Sequence, residues 1–294
     1  MEKIKIITDS TAALPEELLV ANPEIGTIPL YVHFGQTGYR EGVDLKPAQF
    51  YRLLKTASDL PTSSQPSPGD FLNIYKPLLE EGYAIASVHI SSLLSGTIAS
   101  AEQAKEMAGG RIEVLDSQQT GMGLGLMALE GARAARAGHS LEEVIERMRD
   151  VGRGIYNLWV VDTLEYLRRG GRISGTQALV GSILHVKPIL GLRDGRIESL
   201  EKIPSKKRAV GRIIQIIRQA RAEHPQACLH LAIHESDNRA EGEELLARMK
   251  EELKAEEGFV GTLGAVLGTH TGPGVLGIVM FQEEGGKVIP AKLD

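Results

Sequence analysis

Short runs of β-branched and aliphatic residues alternate with stretches of helical period along most of this chain. The first, KIKIIT (residues 3–8), leads through Asp9-Ser10-Thr11 into PEELLVAN, where Pro15 opens a helix and Glu16 and Glu17 occupy its first turn. TIPLYVHF (residues 27–34) predicts one strand, and PAQFYRLLKTA (residues 47–57) predicts a helix. A further helix is expected over residues 70–81, entered from the loop PTSSQPSPG. AIASVHI (84–90) predicts a buried strand, IASAEQAKEMA (98–108) a helix, RIEVLD (111–116) a strand and LGLMALEGARAARAG a helix. Strands and helices of these lengths in alternation point to βαβ units and a parallel sheet.

The pattern changes near Val151. NLWVVDTL (157–164) predicts a strand, and residues 165–190 are rich in glycine and aliphatic side chains. RDGRIESLEKI holds the turn signal Asp194-Gly195 between two extended runs and reads as a hairpin. A helix over 206–222, a strand over 228–234, a helix over 239–255 and two final strands follow, with GTHTGPG (268–274) interrupting an extended apolar stretch. A chain of 294 residues is long for one core, so two domains are expected. The boundary is placed within 138–154, giving domains 1–150 and 151–294.

Charge and composition then narrow the partners. A net charge of -5 argues against a nucleic-acid grip, which needs a basic face. The single cysteine, Cys228, excludes an internal disulfide and fits a reducing cytoplasm. The opening MEKIKIITDS has no apolar signal segment, and no stretch approaches the roughly 18 apolar residues of a membrane span. A soluble cytoplasmic α/β protein with no stable membrane insertion is expected. Aromatic residues are only 4% of the chain, so the core must be aliphatic, which also suits a pocket for an alkyl chain.

Three loops carry hydroxyls, glycines and prolines but no acid: PTSSQPSPG (61–69), SSLLSGT (91–97) and GTHTGPG (268–274). Hydroxyls, backbone N–H groups and an imidazole are donors, and donors gathered without a carboxylate suit a small anion. SSLLSGT runs from a strand into a helix, so that helix's N-terminus is an anion site at the carboxyl edge of the sheet. Ser95 and Thr97 also read as plain caps, as do Ser67 and Asp70 in the first loop. Ser63 and Ser64 are not needed for that cap. His270, flanked by Thr269 and Thr271, can approach a ligand closely, and an imidazolium there would strengthen an anion contact.

Other patterns are weaker. Gly123, Gly125 and Ala128 fit a partial G-x-G-x-x-A dinucleotide fingerprint without the acid that should follow. His230 and His234 share a strand face with Cys228, yet no fourth zinc ligand is evident, and no metal is expected. A serine hydrolase acting on acyl esters would have to combine Ser95 and His270 with an acid such as Asp9, since no G-x-S-x-G elbow exists. Arg168, Arg169 and Arg172 in LRRGGRISG, and Lys202, Lys206, Lys207 and Arg208 in EKIPSKKRA, form two basic clusters in an acidic protein. Each reads either as a solvated helix end or as a contact face for an anionic partner.

IITDSTAALP, IPLYVHFGQTGYREGVDL, TSSQPSPGDF, ISSLLSGT, VLDSQQTGMGLG, VDTLEYLRRGGRISGTQALVGSILHVKPIL and GTHTGPGVLGIV, in this order, resemble the blocks of the DegV family. The resemblance implies a fatty-acid-binding protein of two α/β domains with the lipid between them. The N-terminal domain would be a parallel three-layer α/β/α sheet, and the C-terminal one a two-layer α/β domain with a mixed sheet. It implies a carrier rather than an enzyme, with no cofactor beyond a long-chain fatty acid, which is presented to a separate fatty acid kinase that makes an acyl phosphate. By motif, Ser63, Ser95 and His270 would hold the carboxylate, with Thr62, Ser64, Gly96, Thr97, Thr269 and Thr271 as additional contacts. The family usually has threonine where this chain has Ser63, which keeps the hydroxyl but loses the methyl that restricts its rotamer. Leu179, Val180, Ile183, Leu184 and Ile189 are expected on the tunnel wall, and Arg172 and Lys202 where the kinase docks.

Overall fold

The computed structural model describes residues 2–172, 187–255 and 257–292. Four parallel strands form the first sheet: β1 (Lys3–Asp9), β2 (Ile25–Ile28), β6 (Tyr83–His89) and β7 (Ile112–Asp116), ordered β2-β1-β6-β7. The alternation of a strand divides its apolar residues between two cores. Ile7 and Ile85 face helices α3 (Pro68–Glu80) and α4 (Thr97–Ala108), packing with Phe71, Tyr75 and Ala101. Their neighbours Ile6, Ala84 and Ala86 face the opposite way, toward α5 (Met122–Arg136) and α6 (Leu141–Gly154). This is the expected three-layer arrangement.

The second sheet is mixed and has seven strands. Its order is β10 (Arg196–Ile203), β9 (Lys187–Arg193), β8 (Tyr156–Val160), β13 (Leu276–Glu284), β11 (Cys228–Glu235) and β12 (Phe259–Thr262), with β14 (Lys287–Ile289) also on β13. Only β11 and β12 run parallel within it. Leu158, Ile189, Ile233 and Ile278 pack on one face against α8 (Lys206–Glu223) and α9 (Arg239–Leu253). Trp159, Leu190, Ala232 and Phe281 face the other way and join the core of α5 and α6. These two helices therefore form a layer common to both sheets, and residues 122–132 of α5 are buried without a break.

That burial accounts for the glycines of α5. A Cβ on Gly125 would come within 2.7 Å of the Ala12 carbonyl, and one on Gly123 within 2.8 Å of Asn157 Nδ2. The G-x-G-x-x-A pattern is a close-packing device, leaving no room there for a dinucleotide.

Four stretches differ from the sequence reading. TIPLYVHF is two strands, because Pro29 has no N–H to continue a ladder: β2 ends at Ile28 and β3 (Tyr31–Phe34) joins β4 (Thr37–Arg40) in a separate small sheet. Inside the PTSSQPSPG loop, β5 (Thr62–Ser64) pairs antiparallel with β3. Residues 141–154, for which the sequence predicts a domain boundary but no element, form the helix α6, capped by Ser140 and Glu143 in a reciprocal box. The stretch before GTHTGPG is not extended: α10 (Ala265–Thr271) carries His270 in its last turn. The remaining helices among the described residues are α1 (Glu16–Ala21), α2 (Pro47–Thr56) and α7 (Glu165–Arg169). The hairpin at Asp194-Gly195 forms as expected, with both residues at positive φ, 48° and 76°.

Candidate functional site

All three donor loops converge beside one cavity. Antiparallel register sets Ser63 opposite Val32, and the Ser63 Oγ lies 2.7 Å from His270 Nε2, across 207 residues of chain. Ser64 bonds His33 Nε2 at 3.0 Å. The loop after β6 is tied down at several points. Ser91 Oγ donates to the Gly195 carbonyl at 2.8 Å, linking the two sheets, and Ser95 N donates to the Ser91 carbonyl at 3.1 Å. Ser95 Oγ lies 2.8 Å from Thr97 Oγ1. A Cβ on Gly96 would come within 2.8 Å of Gln65 Nε2, so the bare glycine lets the first two loops touch.

The cavity, of about 70 Å³, is partly open to solvent. Its polar, partly exposed rim is Ser63, Ser64, Gln65, Ser95, Arg172 and His270, its body is lined by Leu30, Ile90, Leu94, Trp159, Leu167, Ile197, Leu263, Val266 and Leu267, and the buried Thr271 also lines it. Thr120, Gly121 and His234 complete the wall. No Asp or Glu lines it among the described residues.

Burial pushes the His270 imidazole down to about 4, and the nearby Arg172 guanidinium adds to the shift. His270 is therefore neutral at pH 7, not the imidazolium that the sequence suggested. It can donate or accept one hydrogen bond on the Ser63 side, and its buried Nδ1 has no partner among the described residues. The positive charge at the rim belongs to Arg172. Its Nε donates to the Leu94 carbonyl at 3.2 Å and its Nη1 to the Gly170 carbonyl at 2.6 Å, so it also braces the Ser95 loop.

The remaining expected positions are spread more widely. Thr62 is exposed, and Thr269 and Thr271 spend their hydroxyls on the Ala265 and Leu267 carbonyls of α10. Gly96 and Thr97 are not among the residues that line the cavity. Ile189 packs on the far face of its sheet, against α8 and away from the cavity. Leu179, Val180, Ile183 and Leu184 lie outside the described residues. Lys202 is exposed on β10. Arg168 and Arg169 pair with Glu165, which they hold near 2. Cys228, His230 and Glu283 offer ligand atoms within 4.8 Å of one another, but Arg147 already pairs with Glu283 at 2.7 Å.

Asp9 is not joined to His270. Its carboxyl accepts from Thr11 N at 3.0 Å, Thr11 Oγ1 at 2.5 Å, His89 Nδ1 at 3.1 Å and Ile90 N at 2.9 Å. His89 Nε2 continues to Ser87 Oγ and that to Tyr75 Oη, each at 2.7 Å. Asp9, His89 and Ser87 are fully buried, so this relay positions the end of β6 and touches no solvent. Gln65, Thr120 and Trp159 escape sequence reading, since nothing in their spacing separates them from core or loop, and His234 stands out there only for its spacing to Cys228 and His230, not for the cavity it lines.

The fold and site define an α/β protein with a largely apolar cavity between two sheets and hydroxyls, an imidazole and a guanidinium at its rim. The family model "Uncharacterised protein, DegV family COG1307" matches residues 3–283, and the chain belongs to this family. A DegV domain-containing protein of Listeria monocytogenes is 38% identical over 279 residues, 94% of this chain and 98% of that one. The solved structure of DegV, a fatty acid binding protein from Bacillus subtilis, is 33% identical and superposes with a TM-score of 0.88, covering 97% of this chain and all of its own. A fatty-acid-binding DegV family protein from Thermus thermophilus is 35% identical with a TM-score of 0.86, covering 96% of this chain and all of its own. No helix among the described residues is long and apolar enough to cross a membrane.

Proposed function

We propose that this protein is a carrier for a long-chain fatty acid, with the acyl chain in the cavity and the carboxylate at Ser63, Ser95 and His270. The observation that carries this reading is the Ser63–His270 pair at the rim of an apolar cavity whose described lining holds no acid. Each buried methylene contributes about 0.8 kcal/mol, offset in part by the chain's lost freedom. A carboxylate in such a site needs hydrogen bonds, because burying it unpaired is very costly. Ser63 and Ser95 supply hydroxyl donors, a neutral His270 donates through Nε2, and Arg172 adds a charge.

The two similar fatty-acid-binding proteins, from Thermus thermophilus and Bacillus subtilis, support the ligand class. The family likeness supports the further step, presentation of the head group in the cytoplasm to a fatty acid kinase that makes an acyl phosphate. Native mass spectrometry of the purified protein, followed by denaturation and lipid identification, tests the ligand class. A protein that neither co-purifies with nor takes up a fatty acid would defeat the reading.

Ser95→Ala removes one charge-assisted hydrogen bond and is expected to weaken fatty acid binding about tenfold. An unchanged affinity would remove Ser95 from the head-group site. Arg172→Ala is expected to depress acyl phosphate formation by an added fatty acid kinase more than it depresses lipid retention. Equal losses in both would confine Arg172 to the carboxylate, and unchanged turnover would take it out of the reaction.

A further inference from the structure

Besides Ser63, Ser95 and His270, the cavity lining holds three polar atoms to which the head-group reading assigns no role. They are Thr120 Oγ1, His234 Nδ1 and His234 Nε2, all buried and without a hydrogen-bond partner among the described residues. His234 is 3% exposed and Thr120 is 9% exposed. Buried polar groups in folded proteins are almost always bonded, so three orphans on one wall mark a place where something else supplies the bonds.

This part of the wall is built. His234 stands on β11 opposite Gly277 of β13, and a Cβ on Gly277 would collide with His234 Nε2. A Cβ on Gly121 would come within 3.0 Å of Nδ1. Two glycines thus make room for the ring, and Trp159 meets it edge-on with centroids 6.0 Å apart. Thr120 is fixed through its carbonyl, which accepts from Asn157 Nδ2 at 3.1 Å. It stands just before α5, whose first turn begins at Gly121 without a side-chain cap.

The chemistry of the group that fits follows from these atoms. Burial pushes the His234 imidazole down to about 4, so at pH 7 it is neutral, with one donor nitrogen and one acceptor nitrogen. The threonine hydroxyl likewise donates and accepts. Neither neutralises an ion, and both complement a group that donates and accepts at once.

We propose that Thr120 and His234 form a second hydrogen-bonding subsite, which takes a hydroxyl on the acyl chain, so that the preferred ligand is a hydroxylated long-chain fatty acid. The inference rests on the fatty-acid reading above and adds a selectivity to it. A plain chain leaves these atoms unpaired against methylenes, which is the arrangement sites of this kind reject most strongly.

The test uses delipidated full-length protein titrated with stearic acid and with monohydroxystearic acids that differ only in hydroxyl position. One positional isomer is expected to bind about tenfold tighter than stearic acid. That ratio is expected to fall to about one in Thr120→Val, a change of nearly equal volume, and in His234→Leu. If stearic acid binds and every hydroxylated isomer binds no better, the subsite is refuted while the fatty-acid reading stands. A preference that survives both substitutions also refutes it, and binding of no acid at all overturns both.

Discussion

Asp9→Ala is expected to lower stability by about 4 kcal/mol and to weaken ligand retention in the molecules that still fold. The carboxyl serves four donors at once: Thr11 N, Thr11 Oγ1, His89 Nδ1 and Ile90 N. Alanine strands all of them in a place no water reaches, since Asp9 and His89 are fully buried. Each stranded donor costs on the order of 1–3 kcal/mol, and local relaxation recovers part of the sum. The Ile90 bond matters beyond stability, because that residue begins the loop that carries Ser95. Urea unfolding of both proteins measures the first effect, and lipid content per folded molecule measures the second. A loss below about 1 kcal/mol would show that the relay is dispensable.

The second large effect is a pH dependence. Glu41 is buried, and its Oε1 accepts from Val266 N at 2.8 Å at the start of α10, the helix that carries His270. Burial pushes its carboxyl from the ordinary 4.5 up to about 7, only partly opposed by such hydrogen bonds. The unfolded chain ionises Glu41 as pH rises through 4.5, while the folded protein keeps the proton until about 7. Between those values the folded state binds more protons, so stability falls as pH rises, by about 3 kcal/mol over the window. Below 4.5 the contribution is fully present, and above 7 it is lost. Glu41→Gln removes the titration. The stability difference between wild type and this variant should therefore shift by about 3 kcal/mol in favour of glutamine between pH 4 and pH 8. A difference that stays constant across that range would place the ionisation of Glu41 elsewhere.

The strands rich in isoleucine and valine and the helices with clear period were legible from the chain. So was the Asp194-Gly195 hairpin, because its two residues are those that accept positive φ. Helix α6 was equally legible, with Ser140 and Glu143 as its box and Leu141, Val144, Ile145 and Met148 as its buried face. In the sequence reading this stretch carries only a domain boundary. By contrast, β5 is a strand largely because β3 lies beside it, since Ser63 and Ser64 carry no strand preference of their own and Thr62 is a single β-branched residue. Helix α10 hides for a similar reason: Gly268, Thr269 and Thr271 are poor helix formers held by packing.

The site was legible as a set of loops and not as a geometry. Family likeness picked out Ser63, Ser95 and His270, and the fold puts Ser63 and His270 in contact with Ser95 on the same rim. It could not supply the charge state of His270, which depends on how much water the fold removes. Nor could it place Thr120 or His234 at the cavity, where their significance lies in hydrogen bonds they do not make.

The layer shared by the two sheets has a consequence for how a ligand gets in and out. Spreading the sheets apart like a clamshell would tear one of them from α5 and expose Trp159, Leu190, Val279 and Phe281 to water. At about 1.5–3 kcal/mol for each large side chain, that opening would consume most of the stability of an ordinary domain. Exchange therefore has to proceed with both sheets in place, through small displacements at the cavity's own rim. Loading and unloading rates should follow substitutions around that rim and be indifferent to those that merely loosen the outer faces of α8 and α9.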